Sequence, residues 1–251
     1  MKIAHHLILS LLLAFLAGPP VGAAGSADAL FDQGMQAYVA GGFAQAATNF
    51  REASALRITA GTLHNLGNAE WQSGRPGAAI LAWEQSQWLN PFNPDTRGNL
   101  RFARKAAQVE SPELAWYEIC SAWLPVNAWA WLATVSFWIA ATMVILPGVL
   151  RWRKADWQQG LAAAGFAVLL ITLPALVGVH TRSRLGVVVA AATPLRLTPT
   201  QQAQILTKLP AGESARLERQ RGNYVFIRTA TAGGWVERGQ FGLVASANSY
   251  P

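Results

Sequence analysis

The side chains most often used for catalysis or metal binding are few and far apart in this chain. It has four histidines and one cysteine. His5 and His6 stand near the start, His64 and His180 fall in different predicted domains, and Cys120 is isolated. A catalytic triad, a cysteine and histidine pair or a histidine metal site needs partners that these spacings do not supply. The sequence therefore predicts a protein without enzymatic activity and without a cofactor.

Two long apolar segments are the most conspicuous elements of the chain. No Asp, Glu, Lys or Arg occurs between Glu118 and Arg151, or between Asp156 and Arg182. Each interval can cross the roughly 30 Å hydrocarbon core of a bilayer as one helix, and a helical hairpin satisfies the backbone groups inside lipid. The competing interpretation, a buried hairpin of a soluble protein, is disfavoured by the length of the segments and by the tryptophans at their ends. The predicted elements are transmembrane helices at 119–150 and 157–179, joined by a cytoplasmic turn at 151–156.

The orientation of this hairpin follows from its basic turn. Arg151, Arg153 and Lys154 are the topology determinants, because short loops rich in Lys and Arg stay in the cytoplasm. Residues 1–24 give the same orientation independently, since a positive charge precedes an apolar run that ends in small residues, as in a secretory signal peptide. Cleavage at the end of this segment is expected, with an uncleaved anchor as the alternative. Both termini and both flanking domains are thus expected in the periplasm, on one face of a bacterial inner membrane.

Residues 25–110 contain an internal repeat. Glycine, alanine and aromatic positions of a first unit recur about 33 residues later in a second: Gly34, Gly41, Ala46 and Phe50 correspond to Gly67, Gly74, Ala79 and Trp83. This pattern resembles the tetratricopeptide repeat, a unit of helix, turn and helix of about 34 residues. The resemblance implies an all-α domain of two helical hairpins, and a further helix at about Asp95 to Ala107 is expected to cap the stack.

Repeat arrays of this kind bind a peptide or helix on their concave side, which the first helix of each pair lines. The register places on that side Phe31, Met35 and Tyr38 from the first pair, and His64, Asn68 and Trp71 from the second. For Phe31, Met35 and Tyr38 an ordinary packing role is at least as well supported. His64 and Asn68 are better candidates, because they are polar at facing positions. The basic clamp that some family members use for a carboxylate is not matched, since Phe31 replaces its lysine.

Residues 185–246 show short apolar alternations separated by turn signals, which predict several strands. The segment resembles the bacterial Src-homology-3-like domain, a small all-β barrel, through the motifs Leu195-Arg196-Leu197, Leu209-Pro210-Ala211-Gly212-Glu213, Gly222 to Arg228 and Gly233-Gly234-Trp235-Val236. Alternation places either Val225 and Ile227 or Tyr224 and Phe226 inside, with Trp235 packed at the closure. Tyr224 and Trp235 are candidates for a ligand groove. A spacer or docking role without a small ligand is equally open.

Positive charge is concentrated in this last predicted domain. The net charge of the chain is +7. Residues 27–110 carry seven acidic and seven basic side chains, whereas residues 180–251 carry three acidic and nine basic ones. Such a surface favours an anionic partner, which could be nucleic acid, anionic lipid or an anionic wall polymer. The predicted export of the domain argues against nucleic acid.

The order of signal peptide, repeats, hairpin and barrel resembles the membrane-bound repeat proteins of bacterial aerotolerance operons, the BatE-like family. The resemblance implies a multidomain membrane protein that acts as a non-enzymatic scaffold. Its implied partners are membrane-anchored von Willebrand factor A proteins and a cytoplasmic MoxR-type ATPase, in envelope assembly or stress tolerance. We expect the two exported domains to hold a partner between them. The alternative is a peptidoglycan-binding anchor whose basic barrel grips the wall while the repeats recruit a cell-wall enzyme.

Overall fold

The computed structural model describes residues 21–149 and 156–245. Five helices come first: α1 (Val21–Val39), α2 (Phe43–Leu56), α3 (Ala60–Gln72), α4 (Pro76–Leu89) and α5 (Pro94–Ala107). A short helix, α6 (Trp116–Ser121), precedes two long ones, α7 (Val126–Val149) and α8 (Asp156–Arg182). Seven strands follow: β1 (Leu185–Val188), β2 (Thr193–Arg196), β3 (Ile205–Leu209), β4 (Ser214–Arg221), β5 (Tyr224–Arg228), β6 (Gly233–Glu237) and β7 (Phe241–Leu243).

The described residues combine an all-helical first part, two long apolar helices and an antiparallel sheet, and at this level the sequence prediction is confirmed. Most of the predicted signal peptide, residues 1–20, lies outside the described residues. The basic turn with Arg151, Arg153 and Lys154 also lies outside them.

The first four helices pack as two pairs because glycines face large aromatic rings. A Cβ atom placed on Gly34 of α1 would lie 2.6 Å from the ring of Phe50 on α2, and one placed on Gly67 of α3 would lie 2.5 Å from Trp83 on α4. Any side chain at these glycines would therefore separate the helices of a pair. The rings of Phe50 and Trp83 are themselves buried. The repeated glycine and aromatic positions thus determine the helix packing.

The seven strands form one antiparallel sheet in the order β3-β2-β6-β5-β4-β1-β7. Leu209 from one end of this order and Phe241 from the other belong to the same hydrophobic core, so the sheet curls around that core. Val225 and Ile227 face inward, which resolves the two alternatives for β5. Trp235 lies half-buried on the outer surface instead of at a buried closure, because alternation along β6 puts its neighbours inside. Strand β3 was not among the predicted strands, since four of its five residues are exposed and do not alternate.

Helices α7 and α8 pack against each other along small residues. A Cβ atom on Gly165 would lie 3.0 Å from the carbonyl oxygen of Ser136, so the two helices approach closely there. The segments Val126–Ile145 and Asp156–Arg182 have mean hydropathies of 1.7 and 2.3, and both helices are long and apolar enough to cross a membrane. Their outward side chains remain exposed, among them Trp138, Val144 and Ile171.

The helices and the sheet share one hydrophobic core. Ile80 and Trp88 of α4 lie in it together with Trp129 of α7, Val179 of α8 and Val187 of β1. Helix α4 contacts the backbone of the sheet directly: Gly77 abuts the carbonyl groups of Val188 and Val189, and Leu81 abuts Gly242. The side-chain amide of Gln85 donates a hydrogen bond of 2.9 Å to the carbonyl oxygen of Leu243. The two folded parts are therefore joined without an intervening gap at this point.

The docking of α4 on the sheet can be tested at Gly77. Gly77→Ala places a methyl group against backbone atoms, which cannot move as a side chain can, and should destabilise the protein by about 1–3 kcal/mol. The matched control is Gly98→Ala on α5, where a Cβ atom meets nothing within 4 Å. That change should stabilise the helix by up to about 1 kcal/mol. Thermal unfolding of the full chain in detergent, followed by circular dichroism, measures both. Equal midpoints for the two variants would contradict the docking.

Candidate partner-binding site

Helices α1, α3 and α5 present their side chains on one common surface, here called the α1–α3–α5 face. Asn65 on α3 donates to the Sδ atom of Met35 on α1 at 3.5 Å. His64 Nδ1 and Thr96 Oγ1 of α5 lie 2.8 Å apart and share a hydrogen bond. The rings of Trp71 and Phe102 meet edge to face, with centroids 5.6 Å apart. These contacts link the first helix of each pair to the next.

The centre of this face is a pair of asparagines. Asn99 Nδ2 donates to Asn68 Oδ1 at 2.9 Å, and Trp83 Nε1 donates to the same oxygen at 3.1 Å. An asparagine side chain has one acceptor oxygen and an NH2 group with two donors. The NH2 group of Asn68 and the oxygen of Asn99 have no hydrogen-bond partner among the described residues. A donor and an acceptor therefore lie side by side, which matches the C=O and N–H groups of a peptide unit.

His64 adds a polar group without a charge to the α1–α3–α5 face. Its partial burial lowers the pKa of the imidazole, and the nearby carboxylate of Asp95 offsets this only in part. The ring is neutral at pH 7, because even its ordinary pKa is about 6.5. The centre of the face thus consists of neutral amide, imidazole and aromatic groups. This chemistry fits an uncharged main-chain segment better than a carboxylate.

The other predicted residues of this groove also serve to pack the helices. The ring centroid of Phe31 lies 5.5 Å from that of Phe50, and Tyr38 meets Phe43 edge to face at 5.2 Å. Both side chains are half-buried. Phe31 and Tyr38 therefore form the wall of the first hairpin and offer the face only part of their surface. Trp71 is likewise half-buried, between Trp83 and Phe102.

Helix α5 contributes residues to this face that sequence reasoning missed. It was expected to act as a cap, but it places Thr96, Asn99 and Phe102 beside α3. Phe102 is 63% exposed and gives the face an open aromatic surface. The signal that could have found these residues is the repeat itself, because the spacing that relates α1 to α3 continues to α5.

A buried ion pair lies on another side of the molecule, where α6 and the end of α8 meet the sheet. Glu118 of α6 is 1% exposed. Arg216 of β4 donates to both of its carboxylate oxygens, at 2.8 and 2.7 Å. The backbone amide of Ala115 donates to the same carboxylate at 2.9 Å. Arg216 also donates to the carbonyl oxygen of Thr181 at 3.3 Å, so the pair joins α6, the end of α8 and the sheet.

A second arginine strengthens this junction. Arg182 donates from Nη1 to Ser121 Oγ at 3.1 Å, and its guanidinium group lies 4.9 Å from the ring centre of Trp88 on α4. Trp129 Nε1 donates to the carbonyl oxygen of Ser121 at 3.1 Å. A cation over an aromatic face is attracted by the ring quadrupole. Helices α4, α6, α7 and α8 consequently meet at one polar cluster inside the shared core.

The candidates on the sheet lie apart from the α1–α3–α5 face. Trp235 meets Phe226 edge to face at 5.4 Å on the outer surface. Tyr224 is half-buried beside an open, shallow cleft that it shares with Thr198 and Asn223. Arg196, the expected strand arginine, donates to the carbonyl oxygen of Gln201 at 2.7 Å and so braces the loop between β2 and β3. The structure does not bring Tyr224 and Trp235 together with the helical candidates.

The expected partner space between the two folded parts is occupied by their own contacts, since α4 packs on β1 and β7. A cleft of about 400 Å³ remains beside it, between the segment 108–113 and strands β4 and β5. Glu110 and Glu213 both line it, and burial together with the charge of Glu110 raises the pKa of Glu213. This volume is too small for a folded domain.

Among the described residues no group of three or more His, Cys, Asp or Glu side chains could hold a metal ion. Comparison with protein-family models, with curated proteins and with solved structures gave no match. Function must therefore be argued from the geometry of the molecule itself.

The ion pair at Glu118 should make stability depend on pH. Burial alone would raise the pKa of Glu118, but hydrogen bonds from Arg216, Thr181 and Ala115 outweigh it, and the pKa lies below its ordinary value. A lowered pKa in the folded state gives stability that is present above the unfolded pKa of about 4.3 and is lost as the pH falls through the folded value.

The measurement is the midpoint of thermal unfolding from neutral to acid pH. Glu118→Gln should lower stability at pH 7 by about 1.5–3 kcal/mol, because hydrogen bonds to a charged group are lost. At acid pH the difference in stability between Glu118→Gln and the native protein should become smaller. Glu52→Gln, which removes an exposed carboxylate from α2, serves as the control and should follow the native curve. A difference that stays constant with pH would show that the carboxylate charge is not what stabilises the junction.

Proposed function

We propose that this protein is a membrane-anchored, non-enzymatic adaptor that binds an extended segment of another envelope protein on its α1–α3–α5 face. The observation that carries the proposal is the asparagine pair, Asn68 and Asn99. It offers a free donor and a free acceptor beside the exposed ring of Phe102. Main-chain hydrogen bonds with a neighbouring apolar anchor are the common way to hold an extended peptide.

The helical part is proposed to be a tetratricopeptide array of two pairs with a third first-helix, α5. The glycine contacts at Gly34 and Gly67 support this assignment, because they set the close packing within each pair. The curled seven-stranded sheet with an inward-facing core supports a Src-homology-3-like barrel for the last part. The support is helix packing for the helical part, and strand order with an inward-facing core for the sheet.

Helices α7 and α8 are proposed to cross the inner membrane. Their large apolar side chains are exposed, whereas the core helices of a water-soluble protein bury theirs. Trp116, at the start of α6, and Trp123, just after its end, are also exposed and suit the interface between water and lipid. The start of α7 and the end of α8 lie at the same end of the hairpin, so both folded parts share one side of the membrane. The basic turn and the signal segment assign that side to the periplasm.

The partners remain those that the BatE-like order of domains suggests: membrane-anchored von Willebrand factor A proteins, acting with a MoxR-type ATPase across the membrane. The geometry supports an adaptor of this kind in one specific respect. The α1–α3–α5 face, the shared core and the junction at Glu118 belong to one packed body. A partner bound to the face would therefore be held at a fixed distance from the bilayer.

Site-specific photocrosslinking in intact envelopes tests the binding face. A benzoylphenylalanine at Phe102 should give a discrete adduct with a von Willebrand factor A membrane protein, identified by mass spectrometry. The control is benzoylphenylalanine at Phe92, a similarly exposed phenylalanine in the turn before α5. That position should give no adduct with the same protein. Equal adducts from both positions, or adducts without such a protein, would contradict the proposed partner.

The asparagine pair gives a second, quantitative test. Asn68→Ala with Asn99→Ala removes the free donor and acceptor, and should lower the yield of the Phe102 adduct about tenfold, since two net hydrogen bonds are lost. Gln201→Ala with Gln202→Ala removes two exposed amides from the β2–β3 loop and should leave the yield unchanged. An adduct that survives loss of both asparagines would remove the basis for main-chain recognition.

The orientation in the membrane is tested by cysteine labelling. In a Cys120→Ser background, Thr48→Cys and Asn223→Cys should react with a membrane-impermeant maleimide in spheroplasts. Lys154→Cys should react only after the membrane is permeabilised, because the basic turn faces the cytoplasm. Replacing Arg151, Arg153 and Lys154 by glutamine should mix the two orientations. Labelling of Lys154→Cys in intact spheroplasts would reverse the proposed topology.

A further inference from the structure

One end of the sheet carries an exposed surface that none of the contacts above uses. The strand register aligns Arg219 with Phe226, Phe226 with Trp235, and Trp235 with Arg196 across four strands. A shallow cleft next to this row brings the loop after β2 beside the turn between β4 and β5. We call the end of the sheet from this row to the β4–β5 turn, together with the adjoining loop after β2, the hairpin-tip surface; its exposed members are Arg219, Arg221, Arg238 and Leu197.

The hairpin-tip surface combines positive charge with apolar side chains. Leu197 is about half exposed, and the guanidinium group of Arg219 lies over the ring of Phe226. The acidic residue that faces this end is Glu237, opposite Tyr224 in the register. Glu218 on β4 is already paired with Arg228. Three arginines against one glutamate leave the surface cationic, so charge complementarity calls for an anionic partner with an apolar layer.

The strand register shows which way this surface points. Strand β1 begins three residues after α8 ends, and its first residue, Leu185, pairs with Arg216 of β4. Because β4 runs antiparallel to β1, its later residues pass beyond the start of β1. Arg219 lies at most about 10 Å and Arg221 at most about 17 Å past that point, at about 3.3 Å per residue, because a β-bulge between Leu217 and Arg219 bends the strand. The hairpin tip therefore extends back past the end of α8, on the side from which α8 enters the folded part.

The short helix α6 marks the level of the membrane surface on that side. Trp116, Ile119 and Trp123 are exposed there, as interfacial side chains are. Arg216 is bonded to Glu118 of the same helix, so β4 is already level with α6 at Arg216. The later residues of β4 lie past this level, beyond a β-bulge between Leu217 and Arg219. The hairpin-tip surface is thus carried to the depth at which lipid headgroups begin.

We propose that the hairpin-tip surface docks on the anionic headgroups of the same bilayer that α7 and α8 cross. This inference rests on the membrane insertion in the proposed function, and it adds a second, peripheral attachment. The arginines meet the lipid phosphates, and Leu197 enters the boundary between headgroups and acyl chains. Two attachments, one through the hairpin and one through the sheet, fix the tilt of the whole body on the membrane.

The test uses the full chain in nanodiscs, with a nitroxide label on Asn223→Cys in a Cys120→Ser background. The nanodiscs contain phosphatidylcholine alone, or phosphatidylcholine with phosphatidylglycerol. Power-saturation measurements with oxygen and a water-soluble nickel complex report whether the label is at the headgroups or in water. We expect contact with the headgroups in the anionic nanodiscs, weakened by salt, and a label in water in phosphatidylcholine alone.

Arg219→Gln with Arg221→Gln should lower the ratio of docked to free label about 30-fold, because each arginine near an anionic surface contributes about 1 kcal/mol. Arg97→Gln with Arg101→Gln removes the same charge from the exposed side of α5 and should leave the ratio unchanged. Equal effects of the two variants would show a response to net charge alone and would overturn the proposal.

A label that stays in water in anionic nanodiscs also overturns it, whatever the photocrosslinks from Phe102 show. Soluble peptidoglycan fragments that immobilise the label, where phosphatidylglycerol does not, would assign the surface to a wall polymer and overturn it too. Membrane insertion is checked separately by resistance to carbonate extraction. Loss of insertion would mark a failure of the proposed function, whereas an inserted chain with a free hairpin tip would mark a failure of this inference alone.

Discussion

The arrangement of the whole molecule depends on one buried carboxylate. Glu118 is removed from water almost completely, and an unpaired charge in that position would cost far more than a small domain can offset. It is tolerated because Arg216 binds both oxygens and the Ala115 amide binds one of them again. Breaking such a pair from one side is strongly unfavourable, since the remaining charge stays buried. The sheet and α6 are therefore locked in a single relative position.

That lock explains why the folded parts behave as one body. Strand β1 has two apolar faces: Leu185 and Val187 enter the core shared with the helices, and Val188 enters the core of the sheet. A strand between two cores can serve both only if its register relative to α4 is fixed. The contact of Gly77 with the backbone of Val189 fixes it from α4, and the pair of Glu118 with Arg216 fixes it from α6.

Local patterns were sufficient to predict the elements but not the contacts between them. Gly34, Gly67, Phe50 and Trp83 define the helical pairs because their spacing follows directly from helix geometry. The long apolar helices follow from composition in the same way. Glu118 and Arg216 are 98 residues apart, and nothing in either local sequence indicates a partner. The sequence predicts that the helix with Asn99 is a cap, because a terminal repeat is expected to close an array. In the structure the amide of Asn99 instead donates a hydrogen bond to Asn68 on the α1–α3–α5 face.

A rigid connection between the binding face and the hairpin changes what binding can accomplish. An adaptor on a flexible linker must order that linker when its partner engages, and the lost entropy reduces affinity. Here the segment 108–113 is short, and α6 is already fixed to the sheet and to the end of α8. Free energy from the proposed binding at Phe102 and Asn99 would therefore not be spent on ordering the domain. If the proposed partner moved relative to the bilayer, the resulting force would instead act on the contacts around Glu118, Arg216 and Arg182. With the proposed function, the polar junction at Glu118 is thus the place where a force on the adaptor would be transmitted to the hairpin.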